Sequence, residues 1–380
     1  MNHLKRIPGY SFLRVLACVA IIILHMFASA EILFQNVITP EQITGSNVIV
    51  NCMMWAVPCF VMVTGALLLD ENREVSFDKL FNKYILRALG ALVVFSMAFR
   101  IFDIIMDKES FELKSILKGF YEIFTGTGWS HMWYLYLLIG LYLLLPFYKK
   151  IAKASSNSEL KYLLVIYLIF LSLMPLTQLA GIQSKFYIHV STIYPFYLFG
   201  GYAIANESIR LSKVKAVLLI VVGTAGIIAA TVCKGQYNVE QLELLWGYSS
   251  ILVVCQAAGI FYLMKNVKIQ MENKHWKCIN FIDQCSFGIY ILHMILVRLV
   301  LRYWGFNPYE GNIVLNFGGL IIGTLCVTLV VTAVLRKIPG MKKYYNIRKE
   351  NGLENVRNVE FSKPFFSILE NCGIIHKMYN

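Results

Sequence analysis

Charge is scarce in this chain. Only 15% of its 380 residues are Asp, Glu, Lys or Arg, against about 25% in a soluble domain, which excludes an ordinary water-facing fold. Metal chemistry has no recognisable carrier: there is no H-E-x-x-H and no Cys/His cluster. The nine cysteines include no CxxC pair, and most (Cys18, Cys52, Cys59, Cys255, Cys326) lie inside apolar runs, where they read as small hydrophobes. A P-loop, a GxSxG elbow and a GxGxxG opening a helix are all missing. The formal net charge of +13 does not imply nucleic acid. The basic residues fall between apolar runs, where topology and lipid headgroups account for them.

Long apolar runs are what the chain has in abundance: 58% of it is hydrophobic and its mean hydropathy is +0.61. Spans need about 20 apolar residues. They are expected near 10–30, 47–69, 85–106, 132–148, 162–181, 187–205, 214–233, 243–264, 280–301 and 312–335. The expectation is an all-α, polytopic transmembrane helical bundle of about ten spans over residues 1–336, with a polar tail at 337–380. Basic residues alternate between the connections. Lys79 and Lys83, then Lys149, Lys150, Lys153 and Lys161, then Arg210, Lys213 and Lys215, then Lys265, Lys268, Lys274 and Lys277, then Arg336, Lys337, Lys342 and Lys343 fall on the side that carries Lys5 and Arg6. The positive-inside rule makes that side, and both termini, cytosolic. Internal repeats, the mark of many transporters, are not evident.

The first span holds two ionisable residues. In YSFLRVLACVAIIILH, Arg14 and His25 are eleven positions apart, so at about 100° per residue they share one helix face, about 16 Å apart along the axis. Arg14 would lie near the cytosolic surface and His25 deeper. Two readings stand. Arg14 snorkels and His25 bonds a neighbouring helix, or the pair marks a working interior. In the second, an arginine fork takes phosphate and a buried neutral imidazole takes a proton. Acyl-coenzyme A, anionic at one end and reactive at the other, suits such a line. Lys5 and Arg6 before an apolar run ending Ala28-Ser29-Ala30 also fit a signal peptide. Arg14 interrupts that run, so an uncleaved anchor is expected.

Further candidates follow the same logic. His293 and Tyr290 share a face of the ninth span, where His293 pairs with His25, binds substrate or merely packs. Lys83 and Arg87, four apart, either complete an anion site with Arg14 or snorkel at the interface. Trp133, Tyr134, Tyr136 and Tyr142 form an aromatic belt by default. With His131 beside them they also suit a sugar. Arg100 and Asp103 are expected to pair. Pro58, Pro146 and Pro175 permit kinks that open room between helices.

At these residues the chain resembles the acyltransferase-3 family of integral membrane O-acyltransferases, in particular its compact members without a fused extracytoplasmic domain. Arg14-x10-His25 matches the family's R-x10-H motif. VPCFVMVTGALLL, HMWYLYLLIGLYLLLP, IYPFYLFGGYAI and CSFGIYILH resemble its later segments in order, over about residues 10–335. Thr64 stands where the family usually has Ser, and NKYILRALG lacks the fuller basic pattern. The resemblance implies a multi-pass protein of the bacterial plasma membrane that moves acetyl from acetyl-CoA to a hydroxyl of a surface or lipid-linked glycan. It implies no bound cofactor, no metal and no nucleic acid. His25, Arg14 and His293 would be catalytic, Arg14, Lys83 and Arg87 would bind the donor, and His131, Trp133, Tyr134 and Tyr290 the acceptor. The rivals are a glycan or lipid transporter without covalent chemistry and a membrane sensor with the tail as output.

Overall fold

Proline and capping residues set where the helices begin. A computed structural model describes residues 7–182, 186, 192–233, 239–267 and 274–338. The tail beyond Ile338 and the charges Lys5, Arg6, Lys268, Lys342 and Lys343 lie outside the described residues. In chain order the helices are α1 (Pro8–Phe34), α2 (Pro40–Cys52), α3 (Ala56–Leu68), the single turn α4 (Phe77–Lys79), α5 (Leu86–Met106), α6 (Leu113–Thr125), α7 (Trp133–Ala154), α8 (Asn157–Leu168), α9 (Tyr194–Ala205), α10 (Lys213–Val232), α11 (Val239–Trp246), α12 (Ile251–Lys265), α13 (Lys274–Arg298) and α14 (Ile313–Leu335). Proline opens α1 at a position that needs no N–H. Reciprocal capping boxes start α2, through Thr39 and Gln42, and α8, through Ser156 and Glu159. Among the described residues there is no strand.

Nine helical stretches among the described residues are long and apolar enough to cross a membrane: Pro8–Phe34, Pro40–Leu68, Phe77–Met106, Ser130–Ala154, Asn157–Ala180, Lys213–Val232, Glu240–Lys265, Trp276–Tyr303 and Ile313–Leu335. The protein is a multi-pass helical membrane bundle. Of the ten expected spans, the one at 187–205 differs. Its described helix, α9, has twelve residues, about 18 Å, short of a hydrocarbon core of about 30 Å. Its direction still makes it a crossing. Trp133, Tyr194 and Tyr248 cluster at one level, with centroids 5.5–6.0 Å apart. At the other level Lys265 Nζ donates to the Ile204 carbonyl at 2.7 Å, and Gly9 packs on the Met264 carbonyl. So α9 runs alongside α12, against α1, and directions alternate along the chain only when α9 is counted. The level of Gly9 and Lys265 is called the near face below, and that of Trp133 and Tyr248 the far face.

Helix α9 lies on α3 with unusually close backbones. A Cβ on Gly65 would stand 1.9 Å from the Leu198 carbonyl oxygen, and one on Gly201 would stand 2.1 Å from that of Met62. Small residues at such crossings let backbones touch where no water drives association. The outer helices are inverted relative to a soluble bundle. On α14, Thr324, Thr328 and Thr332 are buried while Val327, Val330, Val331 and Val334 are exposed. The Thr328 hydroxyl donates to the Thr324 carbonyl at 2.6 Å, so that hydroxyl is satisfied within its own helix. Helix α1 is central, touching α2, α3, α12, α13 and α14.

Candidate active site

The seam between α1 and α13 carries the charged residues. Arg14 Nε donates to Asp283 Oδ1 at 2.6 Å and Nη2 donates to Oδ2 at 2.7 Å, a bidentate pair. Nη2 also donates to Ser11 Oγ at 3.2 Å. Further along, Cys18 Sγ lies 3.4 Å from the Ser286 carbonyl, Ile22 packs with Cys285 and Ile289, and the rings of His25 and His293 lie 5.1 Å apart. Residue numbers rise together on both helices, so α1 and α13 are parallel. Arg14 and His25 do share one face, and it is the face that meets α13.

Three histidines converge at the far end of this seam. His131 joins from the start of α7, its ring 6.4 Å from His25 and 5.4 Å from His293. His131 and His293 are fully buried, and His25 is half-buried. Backbone carbonyls set the first two rings. His131 Nε2 donates to the Ile291 carbonyl at 3.0 Å, and His293 Nδ1 donates to the Tyr290 carbonyl at 2.6 Å. A carbonyl only accepts, so in each neutral ring the bonded nitrogen carries the hydrogen and the other offers a lone pair. Those other nitrogens, His131 Nδ1 and His293 Nε2, are buried with no hydrogen-bond partner. Orphaned acceptors are costly in a low-dielectric interior, and a hydroxyl group satisfies them. Among the described residues no group of three or more His, Cys, Asp or Glu is arranged to hold a metal.

The remaining candidates do not all join this seam. Tyr290 Oη donates to the His131 carbonyl and its ring lies 6.0 Å from that of His293, so it touches the histidine cluster, and Tyr134 packs behind it, 5.4 Å from Tyr290. Trp133 faces Tyr194 and Tyr248 instead. The aromatic belt is corrected in part: Tyr134 and Tyr142 are buried, because they pack on Tyr290 and Tyr84 inside the bundle. Lys83 and Arg87 are half-buried, around a π-helical turn at Leu80–Ile85. There Arg73 Nη2 donates to Tyr84 Oη at 3.0 Å. The expected Arg100–Asp103 pair is also corrected. Arg100 turns to Glu109 and the Ser115 carbonyl, while Asp103 accepts from Arg298 Nη1 at 2.9 Å and from Trp129 Nε1 at 2.7 Å. Helix α6 packs back on α5 and offers Arg100 that carbonyl. Trp129, between Phe99 at 4.5 Å and the Arg298 guanidinium at 3.9 Å, caps the cluster above His131.

A buried ion pair and a histidine cluster on one parallel seam would serve several chemistries. A family model described as an acyltransferase domain matches residues 7–335. The chain belongs to the acyltransferase-3 family. No curated protein and no solved structure matches it.

In this acyltransferase the residues that sequence reasoning passed over are those that hold the noted ones. Asp283 was legible as the acid in the otherwise apolar stretch CINFIDQCSFGIYILH, where an intramembrane charge calls for a partner. It stands ten positions before His293, much as Arg14 stands eleven before His25. Trp129 and Arg298 gave no such signal, since an interfacial Trp and a terminal Arg are ordinary at span ends. The acyltransferase thus has the Arg14–Asp283 pair at one end of the seam and three imidazoles at the other, capped by Trp129 and the Arg298–Asp103 pair.

Proposed function

We propose that this membrane acyltransferase is an O-acetyltransferase of the bacterial plasma membrane. It moves acetyl from acetyl-CoA to a hydroxyl of a cell-surface or lipid-linked glycan. The observation that carries the reading is the histidine cluster, in which the half-buried His25 stands before two buried rings with unpartnered acceptor nitrogens. The near face, rich in Lys149, Lys153, Lys265 and Arg336, is the cytosolic one by the positive-inside rule. Acetyl-CoA enters there as a substrate, and no bound cofactor takes part.

His25 takes the proton of the acceptor hydroxyl as its oxygen attacks the thioester carbonyl carbon. The tetrahedral intermediate collapses, the C–S bond breaks, and the coenzyme thiolate takes the proton back from His25. A thioester is already activated, so the protein chiefly supplies orientation and a base. His293 accepts a hydrogen bond from the bound hydroxyl or a bridging water and keeps His25 aligned. Arg14, oriented by Asp283, holds the donor's phosphates with Lys83 and Arg87. The span of about 16 Å between Arg14 and His25 suits a pantetheine arm. His131, Trp133, Tyr134 and Tyr290 form the acceptor side.

The test is release of free thiol from acetyl-CoA by purified protein, with and without a glycan acceptor. His25→Ala should insert and fold normally and lose about 10²–10⁴-fold in turnover. Near-normal turnover in well-folded His25→Ala removes it from the mechanism. No acceptor-dependent thiol release by the wild type refutes the reading itself.

A further inference from the structure

A cavity opens at the far face, away from the histidines. It is a cleft of about 310 Å³ between the end of the fifth long span, α11 and the start of α12, lined among the described residues by Ser172, Tyr194, Glu240, Glu243, Tyr248 and Ser249 together with apolar neighbours. Ligand sites begin at about 300 Å³. Ser172, one of the lining residues, is 2% exposed, and its buried hydroxyl has no hydrogen-bond partner. A helical serine ordinarily bonds a carbonyl one turn back. Ser172 sits in a π-helical turn, Ile169–Leu173, a distortion frequent at functional sites. The Tyr248 backbone is fixed by Tyr197, whose Oη donates to its carbonyl at 2.7 Å.

We propose that this cleft is a binding subsite for a neutral or amino sugar unit of the acceptor. The proposal rests on the glycan-acetyltransferase reading above. Two tyrosine faces suit the apolar faces of a pyranose ring. Two exposed carboxylates, Glu240 and Glu243, accept from sugar hydroxyls or an ammonium, and Ser172 supplies a buried hydroxyl. The same carboxylates repel uronic acids and phosphorylated sugars, so the cleft selects by charge. It is not the reacting subsite. From Tyr194 and Tyr248 the ring contacts run through Trp133, Tyr134 and Tyr290 before reaching His293. The cleft therefore holds a unit remote from the acylated hydroxyl, whose binding energy positions the reacting one.

The test uses the full-length protein in detergent, with methyl glucoside, glucosamine and glucuronate as probes in saturation-transfer NMR. Methyl glucoside and glucosamine should bind, with glucuronate at least about tenfold weaker, the equivalent of one charge-assisted hydrogen bond. Ser249→Trp, at the exposed rim, should abolish binding without disturbing the core. Glu243→Gln should reduce the discrimination against glucuronate. In turnover assays, Ser249→Trp should raise the KM for an oligosaccharide acceptor about tenfold or more and leave the acetyl-CoA KM unchanged. Sugar binding that survives Ser249→Trp, equal binding of glucuronate, or an unchanged acceptor KM overturns the subsite while leaving the acetyltransferase reading intact. Sugar binding lost in Ser249→Trp, in a protein that never transfers acetyl, keeps the subsite and refutes that reading instead.

Discussion

Removing Asp283 should separate the structural role of Arg14 from its role toward the donor. The two side chains are 10% and 2% exposed and paired at 2.6 Å. Asp283→Ala leaves a guanidinium buried without its carboxylate, and breaking a buried pair from one side costs about 3–5 kcal/mol. Replacing both partners by apolar residues is often neutral or stabilising. Arg14→Met with Asp283→Leu should therefore recover most of the stability that Asp283→Ala loses. The measurement is thermal unfolding of detergent-solubilised protein, followed by acetyl-CoA titration at fixed acceptor. Asp283→Ala should unfold at a markedly lower temperature. The double variant should unfold near the wild-type temperature yet show an acetyl-CoA KM raised about tenfold or more, because the phosphate ligand is gone, with the acceptor KM unmoved. Wild-type stability in Asp283→Ala refutes the ion-pair argument. Wild-type donor KM in a stable double variant refutes the donor role and leaves Arg14 as a clamp between α1 and α13.

Arg14→Lys keeps the charge but not the planar fork, so donor affinity should weaken although the lysine is charged; donor titrations with unshifted KM and reduced turnover contradict this. Tyr290→Phe removes the Oη bond to the His131 carbonyl, and turnover should fall by about tenfold, the worth of one buried hydrogen bond, with no change in the amount of folded protein by size-exclusion chromatography. Gly201→Ala places a Cβ about 2.1 Å from the Met62 carbonyl oxygen and should cost about 1–3 kcal/mol, read as a lower unfolding temperature; wild-type stability would mean that α3 and α9 separate freely. The mature protein should retain α1, since a chain starting at Glu31 lacks the core residues Leu13, Ala17 and Met26 along with Arg14 and His25; terminal sequencing decides it.

Local periodicity by itself determined the helical class, the places of nearly all spans and the shared face of Arg14 and His25. Each follows from one stretch of chain: a long apolar run admits little besides a membrane helix, and an eleven-residue step returns to the same face whatever surrounds it. The order of the motifs likewise pointed to the family. Tertiary structure alone decided which groups meet. Asp283 is 269 positions from Arg14, and the Ile291 carbonyl that orients His131 is 160 positions from it. Nothing in local pattern ranks such partners. The same limit explains the misplaced Arg100–Asp103 pair. Proximity in sequence favoured it, whereas Arg298 from α13 reached Asp103 once the spans had packed. Helix geometry is a property of neighbours in the chain, and the pairing of buried polar groups is a property of the assembled bundle.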